Sequence, residues 1–215
     1  MKRRDFSLAL GAAAGATWVQ TPALAQAKPP VAGDDYLVLD KPAPVEAPAG
    51  KIEIIEFFWY SCPHCNVFEP TLAAWIKRAP KDVAVRRVPV AFRDEFVPQQ
   101  RLYYALEAMG LVDKLHGKVF TAIHGEKLSL NTAEAISSWI AKQGIDKTKF
   151  MAQFNSFAVA SKATRGTQLQ NAYKVEGVPA LGIAGRFYTD GTFAKSMDRA
   201  LVIADYLAAD IRKKK

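Results

Sequence analysis

Residues 51–59, Lys-Ile-Glu-Ile-Ile-Glu-Phe-Phe-Trp, constrain the fold more than any other stretch of this 215-residue chain. A nearly continuous apolar and β-branched run of this length has the pattern of a strand buried on both faces in an α/β sheet. Glu53 and Glu56 interrupt it. After Cys62 and Cys65, the stretch from Pro63 to about Arg78 carries Val67, Phe68, Leu72, Trp75 and Ile76 at helical spacing, and Asp82 to Phe92 alternates as a strand does. These segments make a β-α-β unit with the cysteine pair at its strand-to-helix turn.

The rest of the chain extends this pattern. Residues 26–50 hold Pro29, Pro30, Pro42, Pro44 and Pro48 and one β-like run at Tyr36 to Leu39, which predicts an extended lead-in. From Pro98 to Tyr173 the periodicity is helical, with stops at Gly110, Gly125 and Gly144. Asn131 stands three before Glu134 as in a capping box, Asp146 and Ser156 are good N-caps, and Pro98 suits a first turn. Four or five helices of about 10 to 18 residues are expected there. Strands are then expected over Pro179 to Ala184 and Arg186 to Thr189, with turns at Gly185-Arg186 and Asp190-Gly191, and a last helix from Ser196 to Ile211. The expectation is an α/β domain interrupted by a helical block.

Composition limits the alternatives. A hydrophobic content of 50% with 23% charged residues is that of a globular chain with a sizeable core, which excludes disorder and collagen. Two cysteines three positions apart exclude a disulfide-stapled miniprotein. Part of the net charge of +8 sits in Lys2, Arg3, Arg4 and the run from Arg212 to Lys215, so a basic surface with a solvated tail is expected and no nucleic-acid partner. Residues 1–25 read as a signal peptide: a cationic start, an apolar stretch from Phe6 to Val19, then Ala23-Leu24-Ala25 as a cleavage site. Arg3-Arg4 before Phe6 resembles a twin-arginine signal, which leaves that route and the Sec route open. The expected destination is an oxidising compartment such as the periplasm.

A Cys-x-x-Cys pair can bind metal, attach haem, lie inert or exchange disulfides. Zinc needs four ligands, and His64, His116 and His124 have no finger-like spacing to the thiols. Covalent haem needs histidine directly after the second cysteine, where Asn66 stands. Exchange fits the position best. At a helix N-terminus, unpaired N–H groups and the positive end of the macrodipole stabilise a thiolate at Cys62. Pro63 suits the first helical position, and His64 adds a donor or a positive charge. Cys65, one turn on, is near enough to close a disulfide. A thiol lowered from about 8.5 to about 5 gains about 2.7 kcal/mol at pH 7, or about 60 mV, and the disulfide form becomes correspondingly more oxidising. Glu56, in a buried strand, reads either as a proton acceptor near Cys65 or as a paired structural carboxylate. Pro179 opens a predicted strand, where a cis bond would be a deliberate feature.

The stretch Glu56-Phe-Phe-Trp-Tyr-Ser-Cys62-Pro-His-Cys65, Pro70 eight residues after Cys62, and Gly177-Val178-Pro179-Ala180 downstream resemble the DsbA family of thiol:disulfide interchange proteins in the thioredoxin superfamily. The resemblance covers Tyr36 to Ile211. It implies a thioredoxin-like fold with an inserted helical domain: lead-in and first strand in 26–50, first thioredoxin-like part in 51–96, helical domain in 97–160, second thioredoxin-like part in 161–215. It further implies that Cys62 is the exposed nucleophile, Cys65 its buried partner, His64 the thiolate stabiliser, Glu56 the buried acid, and Val178-Pro179 a cis-proline loop that binds substrate backbone. The redox group is then the Cys62–Cys65 disulfide, with no cofactor and no metal. Expected partners are newly exported, cysteine-containing proteins and a DsbB-type quinone-linked membrane oxidase, and a monomer is expected. An acidic thiol and an oxidising couple are known attributes of this family, so the direction argued above agrees with them and is not independent of them. Trp59, Tyr60 and Ser61 are more polar than a run of phenylalanines, and details of an apolar groove do not carry over. A disulfide isomerase or reductase of the same superfamily remains an alternative, although Val178 stands where isomerases have threonine; so does a redox-inactive holdase.

Overall fold

The computed structural model describes residues 28–214, so the expected signal peptide lies outside it. Five strands, β1 (Leu37–Val38), β2 (Ile52–Phe58), β3 (Val83–Pro89), β4 (Ala180–Ile183) and β5 (Phe187–Asp190), form one sheet in the order β1-β5-β4-β2-β3. β2 and β3 are parallel, and the other pairs are antiparallel. The parallel pair needs a crossover, and α1 (Pro63–Arg78) supplies it. Between β3 and β4 come a 3₁₀ turn (Asp94–Phe96), α2 (Val97–Ala108), α3 (Val112–Phe120) running into a π turn (Thr121–Gly125), α4 (Ala133–Lys142), α5 (Lys147–Phe154) and α6 (Phe157–Ala172). A short α7 (Gly191–Ala194) and α8 (Met197–Lys213) follow β5. The helices between β3 and β4 are the expected interruption of an α/β frame.

Every residue of β2 is buried, which explains its lack of alternation. Ile54 packs on one face with Phe68, Leu72 and Trp75 of α1 and Leu201 and Leu207 of α8, while Ile55 and Phe57 pack on the other with Leu169 and Tyr173. Each such side chain contributes on the order of 2 kcal/mol through burial. The Tyr173 ring lies so close to β4 that a Cβ at Gly182 would stand 2.5 Å from it, so this position requires glycine. Phe58, at the end of β2, enters a third cluster with Leu102, Leu106, Leu115 and Trp139 of the helical segments, and this cluster also holds Cys62 and Cys65.

Asp146 and Ser156 cap α5 and α6 as expected. Four expectations need correction. Thr132, not Asn131, caps α4, its hydroxyl accepting from the Ala135 N–H at 3.2 Å; both residues are competent caps, and the one adjoining the first helical residue takes the role. The helices α3 and α5 have 9 and 8 residues, shorter than the expected range. The third strand ends at Pro89, where proline closes the ladder before Phe92. Asp190-Gly191 is not a simple turn, because the Asp190 carboxylate accepts from the N–H groups of Thr192 and Phe193 and so starts α7.

Candidate active site

The two sulfurs lie at the first turn of α1. Cys62 is the N-cap, with extended backbone (φ −77°, ψ 118°), and its Sγ accepts the Cys65 N–H at 3.4 Å. Pro63 occupies the first turn, where its missing N–H costs nothing. Both cysteines are free thiols here, and Cys62 Sγ donates to the Val178 carbonyl at 3.3 Å. The family's exposed nucleophile is only slightly open in this chain: Cys62 is 7% exposed, beneath Val178, and Cys65 is 0% exposed.

Their acidities diverge for physical reasons. The Cys62 thiol is lowered to about 6, first by a hydrogen bond from the Cys65 thiol; burial opposes this, and the N–H groups of Cys65 and His64 and the His64 charge add to it. The Cys65 thiol is pushed far up by burial, then by its bond to Cys62 and the Cys62 charge. One thiol therefore ionises at neutral pH and the other does not.

Glu56 and Arg87 are partners in the β2–β3 register, and Arg87 Nε donates to Glu56 Oε2 at 3.0 Å. Glu56 Oε1 is buried without a hydrogen-bond partner. Burial raises the Glu56 carboxyl to about 8, against the pull of Arg87, so it holds a proton at neutral pH. Arg87 Nη2 also donates to Glu69 Oε1 at 2.6 Å, and Glu69 Oε2 lies 3.3 Å from His116 Nε2. Burial would raise Glu69, but its bonds from His116 and Arg87 outweigh it and hold the carboxyl low. His116 is itself held down by burial and stays neutral, which fixes the donors: Tyr60 O–H to His116 Nδ1 at 2.9 Å, then Nε2–H to Glu69.

Val178-Pro179 is a cis peptide bond. With exposed His64, Thr192 and Lys195 and half-buried Asp190 and Met197, these two residues line a surface cleft of about 490 Å³ beside Cys62. Among the described residues, no group of three or more His, Cys, Asp or Glu is arranged to hold a metal ion.

The structure thus brings Cys62, Pro63, His64, Cys65, Glu56, Val178 and Pro179 to one place. It adds Arg87, Glu69, His116, Tyr60, Gln99 and His124, which the sequence does not single out as part of the site. One signal was present: Arg86-Arg87 sits inside a predicted strand, opposite a strand with two buried carboxylates. His116 and His124 stand out in sequence only as candidate zinc ligands, yet both bond Tyr60.

The family described as DSBA-like thioredoxin domain matches residues 53–202. The chain is 42% identical to the thiol:disulfide interchange protein DsbA of Burkholderia cepacia over 210 residues, covering 97% of this chain and 95% of that one. It is 41% identical to that of Bordetella pertussis over 215 residues, with coverage of 99% and 100%. The crystal structure of Pseudomonas aeruginosa DsbA superposes with a TM-score of 0.81 at 38% identity, covering 86% of this chain and 95% of that one. With a thiol that ionises at neutral pH at a helix N-terminus and this kinship on the same page, the chain belongs to the DsbA-like thioredoxin family and is a thiol:disulfide oxidoreductase.

Proposed function

We propose that this protein is a periplasmic dithiol oxidase that donates its Cys62–Cys65 disulfide to newly exported proteins. A substrate thiolate attacks Cys62 Sγ, the S–S bond breaks, and Cys65 leaves with the electron pair and takes a proton. Glu56, raised to about 8, supplies that proton. A second substrate thiolate then attacks the substrate sulfur of the mixed disulfide, and Cys62 leaves as a thiolate. The substrate has lost two electrons and gained a disulfide, and the enzyme is left as the dithiol. Thiols of low pKa make good leaving groups, so the observation that carries this reading is the Cys62 thiol lowered to about 6 by its donors.

His64 acts as thiolate stabiliser, and Val178 and Pro179 form the wall on which substrate backbone lies, 3.3 Å from the reactive sulfur at the Val178 carbonyl. The disulfide is the whole redox group, without cofactor or metal. Residues 1–25 direct export, and residues 97–160 form a helical unit inserted in the thioredoxin-like frame. A quinone-linked membrane oxidase of the DsbB type restores the disulfide.

The test is oxidation of a reduced two-cysteine peptide by the full mature chain, followed by reoxidation with membranes containing such an oxidase. Turnover that depends on those membranes is expected. A couple too reducing to oxidise the peptide would point to a reductase. Full complementation of an oxidase-deficient strain by Cys62→Ser would establish a binding module.

A further inference from the structure

One peptide unit just ahead of the reactive cysteine is gripped at both of its polar atoms by side chains from the helical segments. The Tyr60 carbonyl accepts from His124 Nε2 at 2.8 Å, and the N–H of Ser61, the other half of that peptide, donates to Gln99 Oε1 at 3.2 Å. Gln99 is 2% exposed and uses both of its donors, on Ser61 Oγ at 2.7 Å and the Leu130 carbonyl at 3.1 Å. A carbonyl can only accept, so Leu130 fixes which end of the amide carries the hydrogens, and Tyr60 fixes the proton of His124 on Nε2. The following N–H is also committed, Cys62 donating to the Trp59 carbonyl at 3.0 Å. His124 reaches Tyr60 from a π turn, a geometry that recurs at functional sites.

We infer that His124 and Gln99 are positioning residues for the exchange reaction, holding the Tyr60–Ser61 peptide plane and thereby aiming the Cys62 sulfur. Rotating this plane breaks two hydrogen bonds at once and leaves Gln99 Oε1, nearly closed to water, without the Ser61 N–H. The plane sets where the chain enters Cys62, and hence how Sγ meets the Cys65 N–H and the Val178 carbonyl. Hydrogen bonds weaken as their angle departs from linear, so rotation of the plane weakens those that the Cys62 sulfur accepts. Neither residue lines the cleft beside Cys62. The helical segments therefore contribute to the chemistry through two side chains, beyond covering the site.

This inference rests on Cys62 being the reactive sulfur, and the experiment separates the two. In the reduced full chain, thiolate absorbance is followed against pH, and alkylation mapped by mass spectrometry identifies the acidic thiol. The same titration, with kcat and KM for oxidation of a reduced two-cysteine peptide, is run on His124→Leu, Gln99→Leu and His124→Gln, which keeps an N–H donor. The expected result is a midpoint about one pH unit higher in the two leucine variants, with kcat down roughly tenfold, the factor to which one pH unit corresponds, and KM little changed. His124→Gln should restore most of both. Unmoved midpoints and rates in folded leucine variants overturn the inference, as does His124→Gln behaving like His124→Leu. Should His124→Leu not fold, an unmoved Gln99→Leu overturns it alone. If mapping in the unsubstituted chain finds Cys62 non-acidic, the functional reading falls first and takes the inference with it.

Discussion

The rim and the interior of the first turn of α1 differ more than three residues of separation suggest. At the rim, Cys62 accepts a hydrogen bond from the Cys65 thiol, collects N–H donors and a neighbouring histidine, and is lowered to about 6. One turn inward, Cys65 has no exposure, faces the Cys62 charge and Glu56, and is pushed far up. In the proposed reaction the same functional group thus departs as a thiolate at one position and ends as a protonated thiol at the other. Desolvation and local donors, not residue type, assign the roles.

The harshest way to break this asymmetry is to remove one sulfur. Cys62→Ser should abolish peptide oxidation, whereas Cys65→Ser should retain the Cys62 thiolate, which attacks an added disulfide-bonded peptide, expels one of its sulfurs as a thiolate and accumulates as a mixed disulfide, read on non-reducing gels. A second attack is on the proton supply at the interior position. Glu56→Gln removes the carboxyl poised near 8 and should slow peptide oxidation by up to about a hundredfold, with loss of the limb near pH 8 in the rate profile. An unchanged profile would make Glu56 a purely structural partner of Arg87.

Stability measures the rim directly. A depressed thiol stabilises the reduced fold in full above its ordinary value of about 8.5, and the effect is lost as pH falls through about 6. At pH 7 that amounts to about 1 to 2 kcal/mol. Reduced protein should therefore resist denaturant better than oxidised protein at neutral pH, and the gap should narrow toward pH 5. A more stable oxidised form at neutral pH would contradict it. The smallest effect belongs deep in α1, away from either sulfur. Trp75 Nε1 donates to Asp205 at 3.1 Å, and Trp75→Phe should cost about 1 kcal/mol while leaving the Cys62 titration in place.

What was legible in the sequence was local. The run from Ile52 to Phe58, the Cys-Pro-His-Cys turn and the periodicity of α1 each lie within a few turns of chain, and each formed as expected. Asp146 and Ser156 were legible as caps for the same reason. The polar scaffold around the cysteines was not, because its partners meet across long separations. Arg87 reaches Glu56 from 31 positions away, Gln99 reaches Ser61 from 38 and His124 reaches Tyr60 from 64. Residue type could not distinguish His124, bonded to a carbonyl, from a solvated surface histidine. Gln99 carries no charge and interrupts no pattern that would mark it as buried. Asp190-Gly191 is a turn signature in isolation, and only the fit of its carboxylate to two N–H groups makes it a helix start.

The sheet's outer strands bear on this chemistry in a different way. β1 has two residues, and β3, the other outermost strand, ends in Pro89 and turns Arg86 and Arg87 inward against the carboxylates of β2. Short edges, terminal prolines and inward charges discourage a foreign strand from adding to a sheet. A protein whose proposed clients arrive extended and unfolded meets many such strands. Its borders offer them little to zip onto, and in the proposed function capture falls to the cleft beside the sulfur, where release would follow from the reaction itself.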